Sequence, residues 1–284
     1  MNVSPVGSGP HKWFDEAIRL YGPSSGHAKS RYLHFCTDDE PAVDPFPALN
    51  DLGDANKPGS RVRRQTRNIA SVMDKANSLV GGGGEGFFMF AEDDMSLCPS
   101  ALTALHYFLD KADRYRPNFL SIRASYGMNG IFIRQSSLAF FSDYLIKHQA
   151  RRPPDHLVVE WFAGETSDAA THKGSRAHLA FRYNIMDHRG AVSTLRAAKQ
   201  STFPKCFEEL GQPTLFQVEA FDFGKCLHDD VWPCDNIPVD EDDYDKDNLL
   251  DKRRRIGWNE LCESGNGGSA APCVHKSNFE KKSK

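Results

Sequence analysis

The sequence predicts an α/β fold: a mostly parallel sheet flanked by helices, followed by a disordered C-terminal tail. Three observations carry this. Apolar runs of strand length alternate with stretches of helical period, the pattern of strands wrapped by helices. Phe87-Phe88-Met89-Phe90 is apolar without alternation, which suits a strand buried on both faces. The chain has 284 residues, 39% of them hydrophobic, enough for one large core.

The elements follow in order. Residues 1–60 are rich in Gly, Pro, Ser and Asp and read as loop, apart from a short helix at Trp13–Leu20 and a strand-like stretch at Arg31–Cys36. A helix spans Val62–Val80, with Ile69, Val72, Met73, Ala76 and Leu79 on one face, and Gly81–Gly84 end it. After the Phe87–Phe90 strand, Ser96–Arg116 reads as a helix with Pro99 in its first turn and a stripe of Leu102, Leu105, Phe108, Leu109 and Ala112. Strands at Asn118–Ala124 and Gly130–Arg134 come next. Ser136 or Ser137 then caps a helix with Leu138, Phe141 and Leu145 inward. Asp155–Ala163 is apolar with embedded carboxylates, 164–177 looks like a mobile insertion, and 178–196 returns to order. Phe216–Asp222 reads as an edge strand. Residues 235–251 are strongly acidic and the chain from Glu263 is rich in Gly, Ser, Asn and Lys, a composition that favours disorder. The expected division is a loop-rich part at 1–60, a globular domain at 61–234 and a tail at 235–284.

The net charge of -3 argues against a general nucleic-acid binder, which needs a basic stripe to neutralise phosphates. No run approaches the roughly 18 apolar residues of a transmembrane helix. The segment from Met1 to Pro5 has no apolar core of the secretory type, so the reading is a cytosolic protein or a chain lacking its N-terminus. Of the seven cysteines, none forms a C-x-x-C pair. Those at 206, 226, 234, 262 and 273 are candidates for disulfides in an oxidising compartment, or for reduced thiols.

Glu92-Asp93-Asp94 follows the Phe87–Phe90 strand directly, where ligands gather in open α/β sheets. Three acids there need solvent or a cation. Hard oxygen ligands suit Mg²⁺ or Mn²⁺, and such an ion can bridge two phosphates and stabilise charge on a departing nucleotide diphosphate. The alternative is a solvated loop in which Asp94 or Ser96 caps the next helix.

The apolar strand ending in Glu92-Asp93-Asp94 resembles the metal-binding motif of GT-A glycosyltransferases. Four further blocks occur in matching order: Arg61–Asn68, Phe119–Gly130, Arg152–His156, and Phe181–Gly190 followed by Ser193. Together they resemble the N-acetylglucosaminyltransferase IV family, which branches N-glycans, and more distantly the transferase that adds N-acetylgalactosamine to GPI anchors. The resemblance implies a GT-A-like (Rossmann-like) catalytic domain at 61–234 and inverting transfer from a UDP-sugar to a hydroxyl of a glycan or glycoprotein. It further implies Mn²⁺ (or Mg²⁺) as the ion and a Golgi or secretory-lumen setting. By that reading Asp94, with Asp93 or Glu92, contacts the metal and diphosphate, and His188 completes the metal shell. Gly190 lets the backbone approach the phosphates. Arg64, with Arg63 and Arg67, faces the diphosphate or the acidic triplet, or else lies on a solvated helix face.

Inverting transfer needs a general base for the attacking hydroxyl. Glu160 is the first candidate and Asp155 the second; otherwise Asp155 caps a helix and Glu160 faces solvent. Tyr126, Trp161 and Tyr183 are candidates to stack on a sugar or uracil ring, or core residues. The competing readings are a metal-dependent hydrolase using the same acids with Glu160, and an inactive relative binding glycan or a partner. The second is prompted by the absence of a clear opening strand before the acidic motif.

Overall fold

A computed structural model of the chain describes residues 12–37, 43–50, 54, 56–80, 86–189, 203–210 and 230–233. The expected edge strand at Phe216–Asp222, the helix stop at Gly81–Gly84 and the tail from 235 lie outside these residues. The chain divides into two compact units, each built from two separate stretches of sequence: 1–86 with 135–158, and 87–134 with 159–284. This differs from the linear division expected, because the helix at 135–148 returns to pack on the helix at 60–80.

In the first unit, α1 (Lys12–Tyr21) is followed by two short 3-10 turns, Pro23–Ser25 and Ser30–Tyr32. The expected strand at Arg31–Cys36 is therefore a turn leading into extended chain. Helix α2 (Ser60–Val80) buries Arg63, Thr66, Arg67, Ile69, Ala70 and Met73. Its inward face is thus rotated from the one the apolar residues suggest, and Leu79 is 52% exposed. The shift has a physical cause: two arginines are buried near the helix start, where they meet their partners. Helix α4 (Gln135–His148) buries Leu138, Phe141 and Leu145 as its periodicity predicts, and its Ser142 hydroxyl donates to the Ala70 carbonyl of α2.

The second unit contains β1 (Phe87–Phe90), β2 (Met95–Leu97), α3 (Ala101–Tyr115), β3 (Ser121–Arg123), β4 (Ile131–Arg134), α6 (Ser167–Lys173), β5 (His178–Phe181), β6 (Met186–His188) and β7 (Val231–Trp232). Helix α5 (Pro154–Ala163) spans the division. The sheet order is β1-β4-β3-β5-β7, with β2-β6 as a separate pair. Among the described strands only β3 and β5 run parallel; β1/β4, β3/β4, β5/β7 and β2/β6 are antiparallel. The expectation of a mostly parallel sheet is thereby corrected. Parallel pairing needs a crossover of about a dozen residues, and the tight turn at 124–130 between β3 and β4 cannot supply one. Gly130 closes that turn at φ +64°, where a Cβ would lie 2.7 Å from the Ser125 Cβ, so only glycine fits.

Two further elements depart from expectation. The predicted helix from Ser96 splits: Met95–Leu97 pairs with β6 as a strand, and the helix begins at Ala101. Its buried face is Ala101, Ala104, Tyr107, Phe108 and Ala112, leaving Leu102 exposed. The expected mobile stretch at 164–177 contains α6, whose first turn is capped by Thr166 accepting from the Ala169 N–H. The core gathers around Phe108, whose ring meets Phe132 and Phe181 at 5.6 and 4.9 Å. Strand β1 is an edge strand of the described sheet and only partly buried.

Candidate functional site

The strand-to-strand path from β1 to β2 carries the acidic triplet, and pairing with β6 sets what faces it. Met95 stands opposite His188, and Ser96 opposite Asp187. The ladder extends one step further: the Arg189 N–H donates to the Asp94 carbonyl at 2.7 Å. This register brings residues far apart in sequence side by side, and the His188 Nε2 lies 3.1 Å from the Asp94 Oδ2. The imidazole is largely enclosed, at 15% exposure, while the Asp94 side chain is 40% exposed. Among the described residues the Asp94 Oδ1 and the His188 Nδ1 are buried without a hydrogen-bond partner.

The other two members of the triplet have separate fates. Glu92 is held at two points by Asn129: its N–H donates to the Asn129 Oδ1 at 2.7 Å, and its Oε2 accepts from the Asn129 Nδ2 at 2.8 Å. Asp93 is exposed, with no hydrogen bond or ion pair among the described residues. The sequence reading grouped Asp93 with Asp94 and His188; the structure pairs Asp94 and His188, and Asp93 makes no contact with either. A β-turn sends consecutive side chains in different directions, so adjacency in sequence is not adjacency in space.

Asn129 sits in the β3–β4 turn. That turn is braced from beneath by the buried Arg123, which donates to the Ser125 and Gly127 carbonyls at 3.3 and 2.7 Å. Ser125 donates to the Asn184 Oδ1 at 2.8 Å. Asn184, fully buried, in turn donates to the carbonyls of Met186, Pro204 and Lys205. One amide thus ties the turn, the start of β6 and the segment 203–210 together. A disulfide between Cys98 and Cys206 fastens the same segment. Of the open alternatives for the cysteines, the described residues contain this one bridge and a free Cys36; Cys226, Cys234, Cys262 and Cys273 lie outside them.

The tethered segment places the Phe203 ring 4.0 Å from the His188 ring and 5.2 Å from the Tyr126 ring. Tyr126 is 8% exposed, and its hydroxyl has no hydrogen-bond partner among the described residues. Burial raises its pKa well above the ordinary phenol value, and the charges of Asp94, Asp187 and Glu92 add to the shift. The phenol is therefore neutral in any physiological medium, and it feels the charges of three carboxylates. Asp187, absent from the sequence-level candidates, pairs with the exposed Arg189 at 3.1 Å. The sequence signal for it was its place beside His188, on the opposite face of a short strand.

The remaining candidates fall elsewhere. Trp161 and Tyr183 are 0% and 2% exposed, so they are core residues and their faces are closed to a sugar or uracil. The Tyr126 ring is stacked on Phe203 rather than open for a ligand. Glu160 is fully buried in α5, so it neither faces solvent nor presents its carboxylate to an acceptor arriving from solvent in this conformation. Asp155, in the first turn of α5, accepts from the His156 N–H. It belongs to the first unit, as does the partly buried Arg64 on α2. Arg63 and Arg67 are neither on a solvated face nor turned to a phosphate: both pair with Asp44, at 3.0 and 3.4 Å. Gly190 lies outside the described residues.

No group of three or more His, Cys, Asp and Glu arranged to hold a metal occurs among the described residues. Of the three residues named for the metal, the structure brings two side chains together, Asp94 and His188. Mg²⁺ is commonly bound through one or two carboxylates, with phosphate and water filling the rest; the pair here offers one carboxylate and one imidazole. Two ligands on adjacent corners of one octahedral shell stand about 3 Å apart, close to the 3.1 Å found here. The Asp94 Oδ1 is buried without a partner at the same place. Comparison with protein-family models, curated proteins and solved structures finds no match to this chain.

Proposed function

We propose that the chain is a metal-dependent glycosyltransferase of GT-A type. It moves a sugar, an N-acetylhexosamine by the resemblance, from a UDP-sugar to a hydroxyl of a glycan or glycoprotein with inversion. The apposition of Asp94 and His188 carries this reading. A carboxylate and an imidazole separated by a long stretch of sequence meet at the end of an apolar strand, in the pairing the resemblance implies. Asp94 and His188 would hold Mn²⁺ (or Mg²⁺), which would supply positive charge to offset that of a leaving diphosphate. Asn129 fixes Glu92 beside them, so the acidic rim keeps its shape without the ion. A lumenal setting is part of the same proposal, and the Cys98–Cys206 bridge is consistent with an oxidising compartment.

The test is binding of UDP with and without Mn²⁺. UDP raises the melting point only when Mn²⁺ is present, because a ligand that binds only the native state stabilises it. In Asp94→Ala the affinity falls at least about a hundredfold, the loss expected when a charged ligand to the ion is removed. UDP binding that ignores the metal, or survives in Asp94→Ala, defeats the proposal.

One observation favours a second reading. Glu160, the leading candidate for the base, is enclosed. An inactive relative that binds the nucleotide or a glycan without turnover accounts for that. Measured transfer of sugar from a UDP-N-acetylhexosamine to a glycan separates the two readings. Turnover lost in Glu160→Gln with UDP binding intact assigns the base.

A further inference from the structure

The Tyr126 side chain is the one polar group beside the candidate cation pair that the described residues leave both buried and unsatisfied at its tip without being a ligand itself. Its ring cannot turn away, since Phe203 stacks on one face at an interplanar angle of 19° and Met95 and Leu210 pack around it. The same Phe203 ring lies against His188, so phenol and imidazole are fixed around a common neighbour. Buried tyrosine hydroxyls ordinarily find a partner. Here Glu92, Asp94 and Asp187 act on the hydroxyl through their charges, yet none accepts its proton in a hydrogen bond.

We propose that Tyr126 is a ligand-binding residue of this site, its hydroxyl donating a hydrogen bond to a phosphate oxygen of the nucleotide diphosphate carried by the cation at Asp94 and His188. The inference rests on the functional reading above. The chemistry explains the choice of residue. Three carboxylates repel a bare diphosphate, so the anion arrives with a cation. A lysine or arginine in the place of Tyr126 would hold the diphosphate but repel that cation. A neutral phenol donates to the anion and leaves the ion in place.

The experiment uses the full chain and the variant Tyr126→Phe, which keeps the stacked ring and removes only the oxygen. Mn²⁺ alone is titrated first, and UDP is then titrated at saturating Mn²⁺. The expected result is a melting point and a Mn²⁺ affinity within about twofold of wild type, with UDP affinity lowered about tenfold, the loss of one hydrogen bond to a charged acceptor. Unchanged UDP affinity overturns the proposal. So does an equal fall in both affinities, which makes the phenol a cation ligand. A lowered melting point with UDP affinity intact makes it a packing group and overturns it too. A wild-type protein that shows no Mn²⁺-dependent UDP binding removes the functional reading, and this inference with it. Wild-type binding that is normal while Tyr126→Phe is indistinguishable from it removes the role of the phenol alone.

Discussion

Two clusters of charge in this protein use the same residue types to opposite ends. Around Asp44, Arg63 donates to the carboxylate and also to the carbonyls of Pro47 and Pro58, and Arg67 reaches both Asp44 and Gln149. The charges there oppose one another, and the Arg63 guanidinium has an acceptor at each of its three nitrogens. Around Asp94, three carboxylates act on a phenol through their charges, one imidazole faces one of them, and three polar atoms are buried without partners. Among the described residues the first cluster leaves one buried atom, the Arg67 Nε, without a partner; the second leaves three. Buried polar groups are costly unless satisfied, so the larger unmet demand lies around Asp94. The contrast separates an arginine cluster that pins a loop from an acidic cluster suited to a cation, a distinction invisible in the residue types alone.

The largest expected effect breaks the self-contained side. Arg63→Met removes a buried guanidinium and leaves Asp44 and two carbonyls without their donor. It should destabilise the protein by about 4 kcal/mol, read as the shift in urea midpoint, while the Mn²⁺ affinity of the folded protein stays at the wild-type value. A loss below about 1 kcal/mol would mean that the cluster is held by something other than this arginine.

An intermediate effect comes from pH. Burial alone would raise the Asp44 pKa, but the Phe46 N–H and the guanidinium groups of Arg63 and Arg67 outweigh it and hold the carboxyl below its ordinary range. The proton therefore binds the unfolded chain more readily than the folded one. The stability this contributes is fully present above the unfolded value near pH 4 and is lost as pH falls through the lower folded value. Asp44→Asn should flatten that acid limb in a pH series of denaturation curves; an unchanged limb separates Asp44 from acid unfolding. His172 adds a second window. Burial, and then the charge of Arg176, lower its pKa to about 4. The unfolded histidine takes up a proton first, so stability falls as pH drops from about 6.5 toward 4. His172→Gln should remove that part of the slope and leave the Asp44 limb intact.

The smallest expected effect sharpens the other side. Asp94→Asn removes one part-exposed carboxylate and keeps an oxygen facing His188. Stability should move by no more than about 0.5 kcal/mol in either direction, even though metal-dependent UDP binding is lost. A destabilisation as large as that of Arg63→Met would place Asp94 among the structural groups and erase the contrast.

Much of the path to the site was legible along the chain. The apolar run at 87–90, the acids after it and the glycines of the β3–β4 turn are local signals, and local signals survive into the fold. The helix faces were less legible. Leu79 and Leu102 sit where a helical stripe predicts burial, yet both are exposed. Arg63 and Arg67 are buried against the rule for charged residues. Periodicity says that a face exists; which face turns inward depends on partners elsewhere in the sequence. The sheet direction failed for a related reason. Alternating strands and helices suggest parallel pairing, but a tight turn after β3 made the neighbouring strand antiparallel.

Within the site, the resemblance brought Asp93, Asp94 and His188 into one hypothesis, and the structure sets Asp94 against His188 with Asp93 exposed beside them. The resemblance missed Asn129, Asp187, Asn184 and the role of Phe203. Each of those acts through contacts across the fold, and an asparagine or phenylalanine in a loop carries no signature of its own.

The amino-acid order by itself determined the strands at 87–90 and 131–134, the helix that follows them and the place of the acids at a strand's end. Only the tertiary structure decided that His188 meets Asp94, that Glu92 is clamped and Asp93 is not, and that Cys98 pairs with Cys206. The physical reason is range. Propensity, capping and turn chemistry act over a few residues, whereas these pairings depend on the register of β2 on β6, which the packing of the whole unit sets.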